Sequence, residues 1–282
     1  MDIQRLEQWI GGTETRTDQV TIAPIAALSA TLDRVDAPPE PGDVLPPLWH
    51  WLYFLPVDRQ SELGPDGHPH RGGFLPPVEL PRRMWAGSRL EFHRPLHVGE
   101  AVTRTSRIQG VRLKEGKTGP LVFVEVRHEI CGPQGAALTE NHDIVYRERC
   151  RPSEATTKPL SAPELCAWQR TIYPDEVLLF RYSALTFNGH RIHYDRRYAR
   201  EVEGYPGLVV HGPLIATLLT DLLRRNLAPT QVARIAFRAT CPLFDTGPFV
   251  VCGQPNEDQK TVRLWAKNQE GQLAMDATAT LI

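Results

Sequence analysis

The sequence predicts an α+β protein built from two similar halves, each with a helix laid against an antiparallel sheet. The helix is clearest in the C-terminal third, where six apolar residues recur at spacings of three and four: Leu214, Ile215, Leu218, Leu219, Leu222 and Leu223. Four candidate strands follow it, at residues 232–239, 249–254, 261–268 and 273–282. Because so much of the helix is apolar, we expect it to be buried rather than to lie on the surface.

A weak internal repeat predicts the same layout in the N-terminal half. The segment VEVRHEICGPQGAALT resembles VRLWAKNQEGQLAMDAT and aligns Gly135 with Gly271, while LEFHRPLHVG and IAFRATCPLFDTG share a phenylalanine, a Pro-Leu pair and a glycine in order. A repeat of this length indicates two similar domains rather than a solenoid. We therefore expect an N-terminal domain over residues 1–150, a linker over residues 151–164 and a C-terminal domain over residues 165–282.

The N-terminal half contains the same kinds of element. Residues 2–35 have a helical pattern, with a short first helix ended by Gly11 and Gly12 and a second helix over residues 21–35. Residues 36–80 are rich in proline and glycine, and the aromatic residues among them indicate an ordered loop packed on an apolar surface. Four strands are expected next, at residues 89–92, 101–109, 120–129 and 138–147.

Composition argues against several classes of function. The 282 residues include 32 basic and 33 acidic residues, so the net charge of -1 gives no electrostatic case for binding nucleic acid or an anionic membrane surface. No apolar run reaches the roughly 20 residues of a membrane helix, and the first residues do not resemble a signal peptide. The five cysteines are scattered without a CxxC pair, which predicts neither a disulfide framework nor a zinc ribbon. We expect a cytoplasmic protein with reduced cysteines, no nucleic-acid or membrane partner, and no metal or other cofactor.

Candidate catalytic residues concentrate in the segment that joins two predicted helices. The first helix is expected to begin at residues 174–176 and to end near residues 188–189, an Asn-Gly pair that tolerates a left-handed backbone. His190 and His193 would then lie in a loop beyond the helix C-terminus. Residues 211–213, His-Gly-Pro, open the apolar helix that follows.

This segment resembles the MaoC-like branch of the hotdog fold, which contains R-specific enoyl-CoA hydratases and hydroxyacyl-thioester dehydratases. The family motif reads Asp-x-Asn-Pro-x-His-x-Asp, then alanine, then Val-His-Gly before a long helix. Asn188 falls on the catalytic aspartate of that motif and His193 on its catalytic histidine. Gly212 falls on the glycine whose amide contacts the thioester oxygen, and Asp195 and Ala199 also match.

Two positions depart from the motif, because Asn188 is not an acid and His190-Arg191 replaces Asn-Pro. The segment SALTFNGHRIHYD, with YPGLVVHGPL after it, is similar to sequences of the type 2 hydroxyacyl-thioester dehydratase subgroup. This subgroup includes mesaconyl-C4-CoA and itaconyl-CoA hydratases. The resemblance implies a double hotdog, with two antiparallel sheets each wrapped on a central helix. It also implies a CoA-thioester substrate, in particular a short branched C5 dicarboxylyl-CoA that is hydrated to citramalyl-CoA.

Hydration of an α,β-unsaturated thioester needs a base for water, an acid for the α-carbon and donors for the thioester oxygen. His193 suits the base because the pKa of histidine lies near working pH, and the Gly212 N–H at a helix start suits the oxyanion. An amide cannot take a proton, so we expect Asn188 to orient the water while His193 makes both proton transfers. The further candidates for contacting the oxyanion or the substrate are His211, Thr220, His190 and Arg191.

Several alternatives stay open at these positions. His211 has the more ordinary interpretation of a structural histidine bonded to backbone. His190, His193 and Asp195 could instead bind a metal, although three ligands in one loop are a weak signal. A substrate carboxylate could pair with Arg191, or with one of three rival arginines: Arg82, Arg83 and Arg89.

The aligned halves predict a single active site. If Asp33 corresponds to Asn188, then Pro38 stands where His193 should be, and the N-terminal half lacks the catalytic histidine. Residues 68–73, HPHRGG, either contact CoA phosphates or form a plain turn. Two other functions stay open: a 3-hydroxyacyl-thioester dehydratase of fatty-acid metabolism, for which a long aliphatic pocket is expected, and a protein that binds acyl-CoA without turnover. A homodimer is compatible with this organisation.

Overall fold

The computed structural model describes residues 2–116, 119–148, 159–227 and 231–282. Four α-helices lie in these residues: α1 (Ile3–Glu7), α2 (Ile22–Thr31), α3 (Glu176–Leu185) and α4 (Gly212–Asn226). The N-terminal half contains the strands β1 (Thr13–Gln19), β2 (Arg82–Phe92), β3 (Ala101–Gly116), β4 (Gly119–Gly132) and β5 (Gly135–Arg147). The C-terminal half contains β6 (Trp168–Ile172), β7 (Val232–Ala239), β8 (Phe249–Pro255), β9 (Thr261–Lys267) and β10 (Leu273–Leu281).

These strands form one antiparallel sheet in the order β1-β3-β4-β5-β2-β7-β10-β9-β8-β6. The two five-stranded halves meet where β2 pairs with β7, and there Leu90 pairs with Ile235. The repeat makes these two residues equivalent, so a pseudo-twofold axis passes between them. A Cβ atom on Gly87 would lie 2.3 Å from the Phe237 carbonyl oxygen, so glycine permits the close approach of the two halves. The α+β double hotdog predicted from the sequence is confirmed, with its two sheets joined edge to edge.

Matching turns support the internal repeat. The β4–β5 and β9–β10 hairpins turn at Gly135 and Gly271, whose φ angles are 96° and 73°. A side chain at either position would be strained, because only glycine adopts this left-handed backbone at little cost.

Helix α4 is the apolar core of the C-terminal half. Ten consecutive residues from Leu214 to Leu223 are buried, and the helix packs on β6, β8, β9 and β10. These ten include all six apolar residues of the predicted period, so the prediction of a buried helix is confirmed.

The described residues of the N-terminal half contain only a single 3-10 turn, Trp49–Leu52, at the equivalent place. Two backbone hydrogen bonds show that the two places are equivalent. In the N-terminal half Leu45 N–H donates to the Leu96 carbonyl (2.7 Å), and in the C-terminal half Val210 N–H donates to the Leu243 carbonyl (2.9 Å). Two residues later along the chain, Pro47 therefore stands where Gly212 begins α4. The loop after the turn is ordered, as expected from its aromatic residues, and Trp49, Tyr53 and Phe54 are buried.

The ends of α2 and α3 correct the alignment of the two halves. After each helix one backbone N–H donates to the carbonyl five residues earlier: Arg34 N–H to Ser29 (3.0 Å) and Asn188 N–H to Ser183 (2.8 Å). The residues before them, Asp33 and Phe187, have left-handed φ angles of 54° and 49°. Arg34 and not Asp33 thus corresponds to Asn188, and the alignment made from sequence was wrong by one residue. The position five residues further on is Pro39, which is again a proline.

Some elements differ from those expected. Residues 13–19 form strand β1 where a helical pattern was expected over residues 2–35, because three β-branched threonines alternate in TETRTDQ and the segment pairs with β3. Helix α2 ends at Thr31 and not at Val35. Strand β6 was not expected, and β2 begins at Arg82 and not at Arg89.

The predicted linker falls largely outside the described residues, which stop at residue 148 and resume at residue 159. Its last residues run along the β9–β10 turn, where Leu273 N–H donates to Leu160 (2.7 Å) and Ala162 N–H to Gly271 (2.9 Å). Among the helices that the structure describes, none combines the length and apolar character needed to cross a bilayer.

Candidate active site

A cavity of about 1700 Å³ lies between the two halves. It is bounded by α3 and the loop after it, by the first turn of α4, by β2 and β5, and by the long N-terminal loop. Five of the residues singled out in the sequence line it: Asn188, His190, Arg191, His193 and Gly212. The segment predicted to carry the chemistry therefore faces one enclosed space.

The loop that carries Asn188 and His193 is fixed by its own backbone. Helix α3 begins at Asp175, whose carboxylate accepts a bond from Leu178 N–H (2.8 Å). After the helix, the side-chain Oδ1 of Asn188 accepts a hydrogen bond from His190 N–H (3.0 Å). This turn leads into a 3-10 turn at Arg191–His193. The amide oxygen of Asn188 thus holds the loop, and an aspartate could accept the same bond.

A loop from the N-terminal half clasps this segment. Arg191 N–H donates to the Asp66 carbonyl (2.9 Å), and the Arg191 guanidinium donates to the Pro65 carbonyl (2.9 Å). At the closest point a Cβ on Gly67 would lie 1.9 Å from the Gly189 carbonyl oxygen, and Gly67 has a left-handed φ of 88°. Only glycine fits at that point, so both halves of the chain shape the site.

His193 is held in the state that a general base requires. Its Nδ1 lies 2.7 Å from the Val209 carbonyl oxygen, and because a carbonyl only accepts, Nδ1 carries the hydrogen and Nε2 keeps a lone pair. The side chain is buried. Burial lowers the pKa of His193 to about 4, the bond to Val209 opposes this shift, and the charge of His68 adds to it. The imidazole is therefore neutral at pH 7.

His211 lies behind His193 and not in the cavity lining. The two rings are stacked, with centroids 3.7 Å apart and planes at 18°. His211 Nε2 and the Ser183 hydroxyl lie 2.8 Å apart, and the ring is fully buried. Burial, with the charges of His193 and His190, keeps the pKa of His211 well below its ordinary value. This position fits the structural interpretation of His211 and does not fit direct contact with substrate.

His190 belongs to a cluster at the edge of the cavity. Its ring centroid lies 5.4 Å from that of His193 and 4.0 Å from that of His68, and His68 Nδ1 lies 3.3 Å from the Asp66 carboxylate. Burial lowers the pKa of His190, and the charges of His68 and His193 lower it further. The cluster offers one ligand atom each from Asp66, His68 and His190, all within 4.8 Å of one another.

The metal-ligand set considered from sequence is not brought together. Asp195 instead accepts bonds from the Arg191 guanidinium (2.7 Å) and from Tyr198 N–H (2.9 Å). Its carboxylate is thereby occupied in holding the loop after His193. The absence of a metal from the working enzyme stays a prediction.

Gly212 presents a free helix-end amide to the cavity. The first four N–H groups of a helix have no partner within it, and Pro213, next in the chain, has none to offer. The Trp85 ring forms the adjacent wall, since its Cε3 atom would lie 3.8 Å from a Cβ on Gly212. A negatively charged oxygen next to this amide would be stabilised by the helix end.

Thr220, a candidate for contacting the oxyanion or the substrate, does not lie on the cavity. It sits two turns into α4, is buried, and donates its hydroxyl hydrogen to the Thr217 carbonyl (2.9 Å). It is absent from the residues that line the cavity. The eight-residue spacing from Gly212 turns its side chain into the helix packing, so that expectation is corrected.

Beyond Arg82 and Arg83, the sequence did not identify the residues of β2 and β5 that form part of the wall. The Trp85 indole N–H donates to the Gly87 carbonyl (3.0 Å) and the Ser88 hydroxyl (3.1 Å). Ser88 in turn donates to the buried Glu140 (2.6 Å), which also accepts from the Trp51 indole (3.1 Å). These residues carry no local motif, and their proximity to α4 arises only when β2 pairs with β7.

The rest of this wall mixes apolar residues, such as Met84, Ile130 and Ile144, with polar ones. Their side chains come from strands β2 to β5 and include two arginines and two histidines: Arg83, Arg104, His128 and His142. Burial lowers the pKa of His128 to about 3 and also lowers that of His142, so both rings are neutral at pH 7.

The double hotdog, a neutral histidine with a free Nε2 and a helix-end amide on one cavity define a thioester hydratase or dehydratase. Residues 48–245 match the profile of the family described as hydroxyacyl-thioester dehydratase type 2. The chain belongs to this family and is an enzyme of the hydro-lyase class.

Relatives and solved structures agree with this assignment. The chain is 47% identical over 273 residues to the mesaconyl-C(4)-CoA hydratase of Chloroflexus aurantiacus, covering 97% of this chain and 96% of that protein. A solved structure of a MaoC-like dehydratase superposes with a TM-score of 0.73 at 14% identity, over 98% of this chain and 99% of that one. A Mycobacterium tuberculosis protein described as a double hotdog superposes with a TM-score of 0.58 at 15% identity, over 97% and 96% of the two chains. At such identities the two structures support the fold alone.

Proposed function

We propose that the protein hydrates a short branched dicarboxylyl-CoA, itaconyl-CoA or mesaconyl-C4-CoA, to citramalyl-CoA, and so serves itaconate degradation. One observation carries the substrate class: beside apolar residues such as Met84 and Ile144, the N-terminal half places arginines and histidines on the wall of the cavity that holds His193. A carboxylate needs such polar partners when it leaves water. The relative from Chloroflexus aurantiacus, with its mesaconyl-C(4)-CoA hydratase description, supports the same choice.

The proposed reaction uses one residue for both proton transfers. In mesaconyl-C4-CoA, whose double bond is conjugated with the thioester, His193 Nε2 takes a proton from water while the water oxygen bonds to the β-carbon. The electron pair of the double bond moves onto the thioester oxygen, where the Gly212 N–H stabilises the negative charge. The imidazolium of His193 then returns the proton to the α-carbon, the carbonyl re-forms, and one water has been added.

Asn188 is proposed to orient the attacking water. Its Oδ1 already accepts one bond from His190 N–H, and its second lone pair and its NH₂ group stay available to the cavity. Because an amide adds no charge, it leaves His193 neutral, whereas an aspartate there would favour the imidazolium.

The active site is proposed to be single and to lie in the C-terminal half. Two substitutions support this: a proline, Pro39, occupies the place of His193, and Pro47, which has no N–H, occupies the place of Gly212. The N-terminal half, proposed to span residues 1–150, would supply the acyl-binding wall and the clasping loop.

A panel of CoA thioesters tests the proposal, with itaconyl, mesaconyl-C4, crotonyl and long-chain trans-2-enoyl esters followed by ultraviolet absorbance and mass spectrometry. We expect a gain of one water on the C5 dicarboxylyl esters and a loss of at least about 100-fold in kcat for His193→Ala. Turnover confined to the long chain would assign the protein to fatty-acid metabolism. Tight binding without turnover of any ester would make it an acyl-CoA-binding protein.

We also propose a cytoplasmic homodimer. The described cysteines are free thiols, as a reducing compartment requires: Cys131, Cys166, Cys241 and Cys252. Exposed apolar side chains on α3, Val177 and Phe180, with Tyr173 just before the helix, offer a surface for a second copy. Sedimentation equilibrium would contradict the dimer if the protein stayed monomeric at micromolar concentration.

A further inference from the structure

Of the four arginines considered as partners for a substrate carboxylate, three are already paired. The Arg82 guanidinium forms a salt bridge with Glu203 (3.1 Å). Arg191 is bound to Asp195 (2.7 Å) and stacks over a tyrosine ring. Arg89 lies on the outer face of the sheet, outside the cavity lining, where it binds Asp143 and Glu125. An arginine that already holds a carboxylate has little to offer a second one.

Arg83 differs from these three. It pairs with Tyr146 in the β2–β5 register, and directly opposed residues on two strands point to the same face. Tyr146 is buried in the inner core, so Arg83 also points inward, and it lines the cavity. Within the described residues, Arg83 takes part in no salt bridge.

The surroundings of Arg83 include neutral rings together with charged groups, among them the Asp66 carboxylate that is bonded to His68 and the Arg71 guanidinium. Its charge adds to burial in lowering the pKa of His68, of His142 and, more weakly, of His190. Burial raises the pKa of Tyr146, and the charge of Arg83 opposes that rise. These groups come from the clasping loop, from β5 and from the loop after α3. No carboxylate among the described residues forms a salt bridge with the Arg83 guanidinium, so it can take the carboxylate of a ligand.

We infer that Arg83 forms the subsite for the free carboxylate of the substrate, an inference that rests on the proposed function. In mesaconyl-C4-CoA this carboxylate is bonded to the β-carbon, which is also the atom that water attacks. The anion site must therefore share the cavity with the base, and Arg83 and His193 line the same cavity. A planar guanidinium can hold the carboxylate through two parallel bonds and so fix which face of the double bond meets the water.

The test compares substrates that differ only in the carboxylate. For Arg83→Met we expect kcat/KM for mesaconyl-C4-CoA to fall about 100-fold, while kcat/KM for crotonyl-CoA stays within about threefold. Arg83→Lys should recover part of the loss without restoring the wild-type value. The matched control is Arg89→Met, which makes the same change on the same strand but on the outer face, and which should leave both substrates unaffected.

Equal losses with both substrates would overturn the inference, since they would mean that Arg83 holds the fold or a CoA phosphate. No loss with either would also overturn it.

A binding measurement separates this inference from the proposed function. Succinyl-CoA and butyryl-CoA are saturated and differ by a carboxylate in place of a methyl on the β-carbon. We expect calorimetry to show at least tenfold tighter binding of succinyl-CoA to wild type, and equal binding to Arg83→Met. If the wild type discriminates in this way yet hydrates no dicarboxylyl ester, the subsite stands and the proposed reaction fails. If the wild type does not discriminate, the subsite is wrong whatever the enzyme turns over.

Discussion

The two halves of this chain share a sheet topology but differ in what covers it. In the C-terminal half a fifteen-residue helix, Gly212–Asn226, fills the curve of the sheet and its first amide faces the cavity. In the N-terminal half a 3-10 turn, Trp49–Leu52, stands at the same place, and part of the cavity lies beside it. A short turn in place of a long helix leaves room there, which we propose the acyl group of the substrate occupies.

Replacing Gly212 by the residue of its counterpart is the strongest test of this difference. Gly212→Pro removes the amide proposed to stabilise the thioester oxygen, and we expect kcat to fall by about 100- to 1000-fold. Gly212→Ala keeps the N–H, and its Cβ would meet the Trp85 ring at an ordinary 3.8 Å, so it should retain at least about a tenth of wild-type kcat. Circular dichroism would check that both variants fold. If the alanine variant were as inactive as the proline variant, the amide would not be the cause.

Removing the buried carboxylate of the N-terminal half should cost stability. Glu140 is fully enclosed and accepts bonds from Ser88 and Trp51. Burial alone would raise its pKa, but the hydrogen bond from His50 and the nearby histidines outweigh this and leave the pKa lowered. For Glu140→Ala we expect a loss of about 3 kcal/mol in the free energy of unfolding, because its donors lose their acceptor.

Urea unfolding measures this loss. The control is Asp143→Ala on the outer face, which leaves an exposed Arg89 and should cost less than about 1 kcal/mol. Similar midpoints for the two variants would show that the buried network contributes little to stability.

On the acidic side of the pH profile, activity should fall only at an unusually low pH. A base works only when unprotonated, and burial lowers the pKa of His193 to about 4. The kcat/KM of the enzyme should therefore persist as pH falls past 6.5 and decline only near pH 4, over the range in which the fold survives. In Asn188→Asp the added carboxylate favours the imidazolium, so this fall should move to higher pH. A fall in wild-type activity near pH 6.5 would contradict the buried, neutral state of His193.

Stability should respond to pH in the same range. The unfolded chain protonates His193 below about pH 6.5, whereas the folded chain resists protonation down to about 4. The folded state therefore loses stability as pH falls through this interval, by about 3 kcal/mol for this histidine alone. Thermal denaturation between pH 7 and pH 4.5 would measure the decline.

The smallest effect is expected from chelation. The Asp66, His68 and His190 cluster joins the two halves, but the proposed mechanism needs no cation. Dialysis against EDTA should leave kcat/KM within about 20% of its starting value, the scatter of such an assay, with a known zinc enzyme as the positive control. Loss of activity that zinc restores would assign the cluster a role that the present mechanism lacks.

The sequence predicted the features that depend on neighbours along the chain. The apolar period of α4 and the spacing from Asn188 to Gly212 are local, and they placed five residues on one cavity. Strand β1 was missed because its pattern is short and gains its meaning from pairing with β3. The choice of Arg83 over its rivals could not be made either, because the partners of Arg82 and Arg191 and the face occupied by Arg89 follow from tertiary contacts. The approach of Gly67 to Gly189 joins residues more than a hundred positions apart and leaves no pattern in the sequence.

The pairing of β2 with β7, which joins the two halves in one chain, has an evolutionary consequence. It turns what would be a symmetric pair of identical subunits into a tethered pair whose members can mutate independently. After a gene duplication, one copy can keep the proton chemistry under strict selection while the other drifts to recognise new acyl groups. Under the proposed division of roles, exchanging N-terminal halves between homologues would therefore change thioester selectivity, provided that the new half keeps the approach of Gly67 to Gly189.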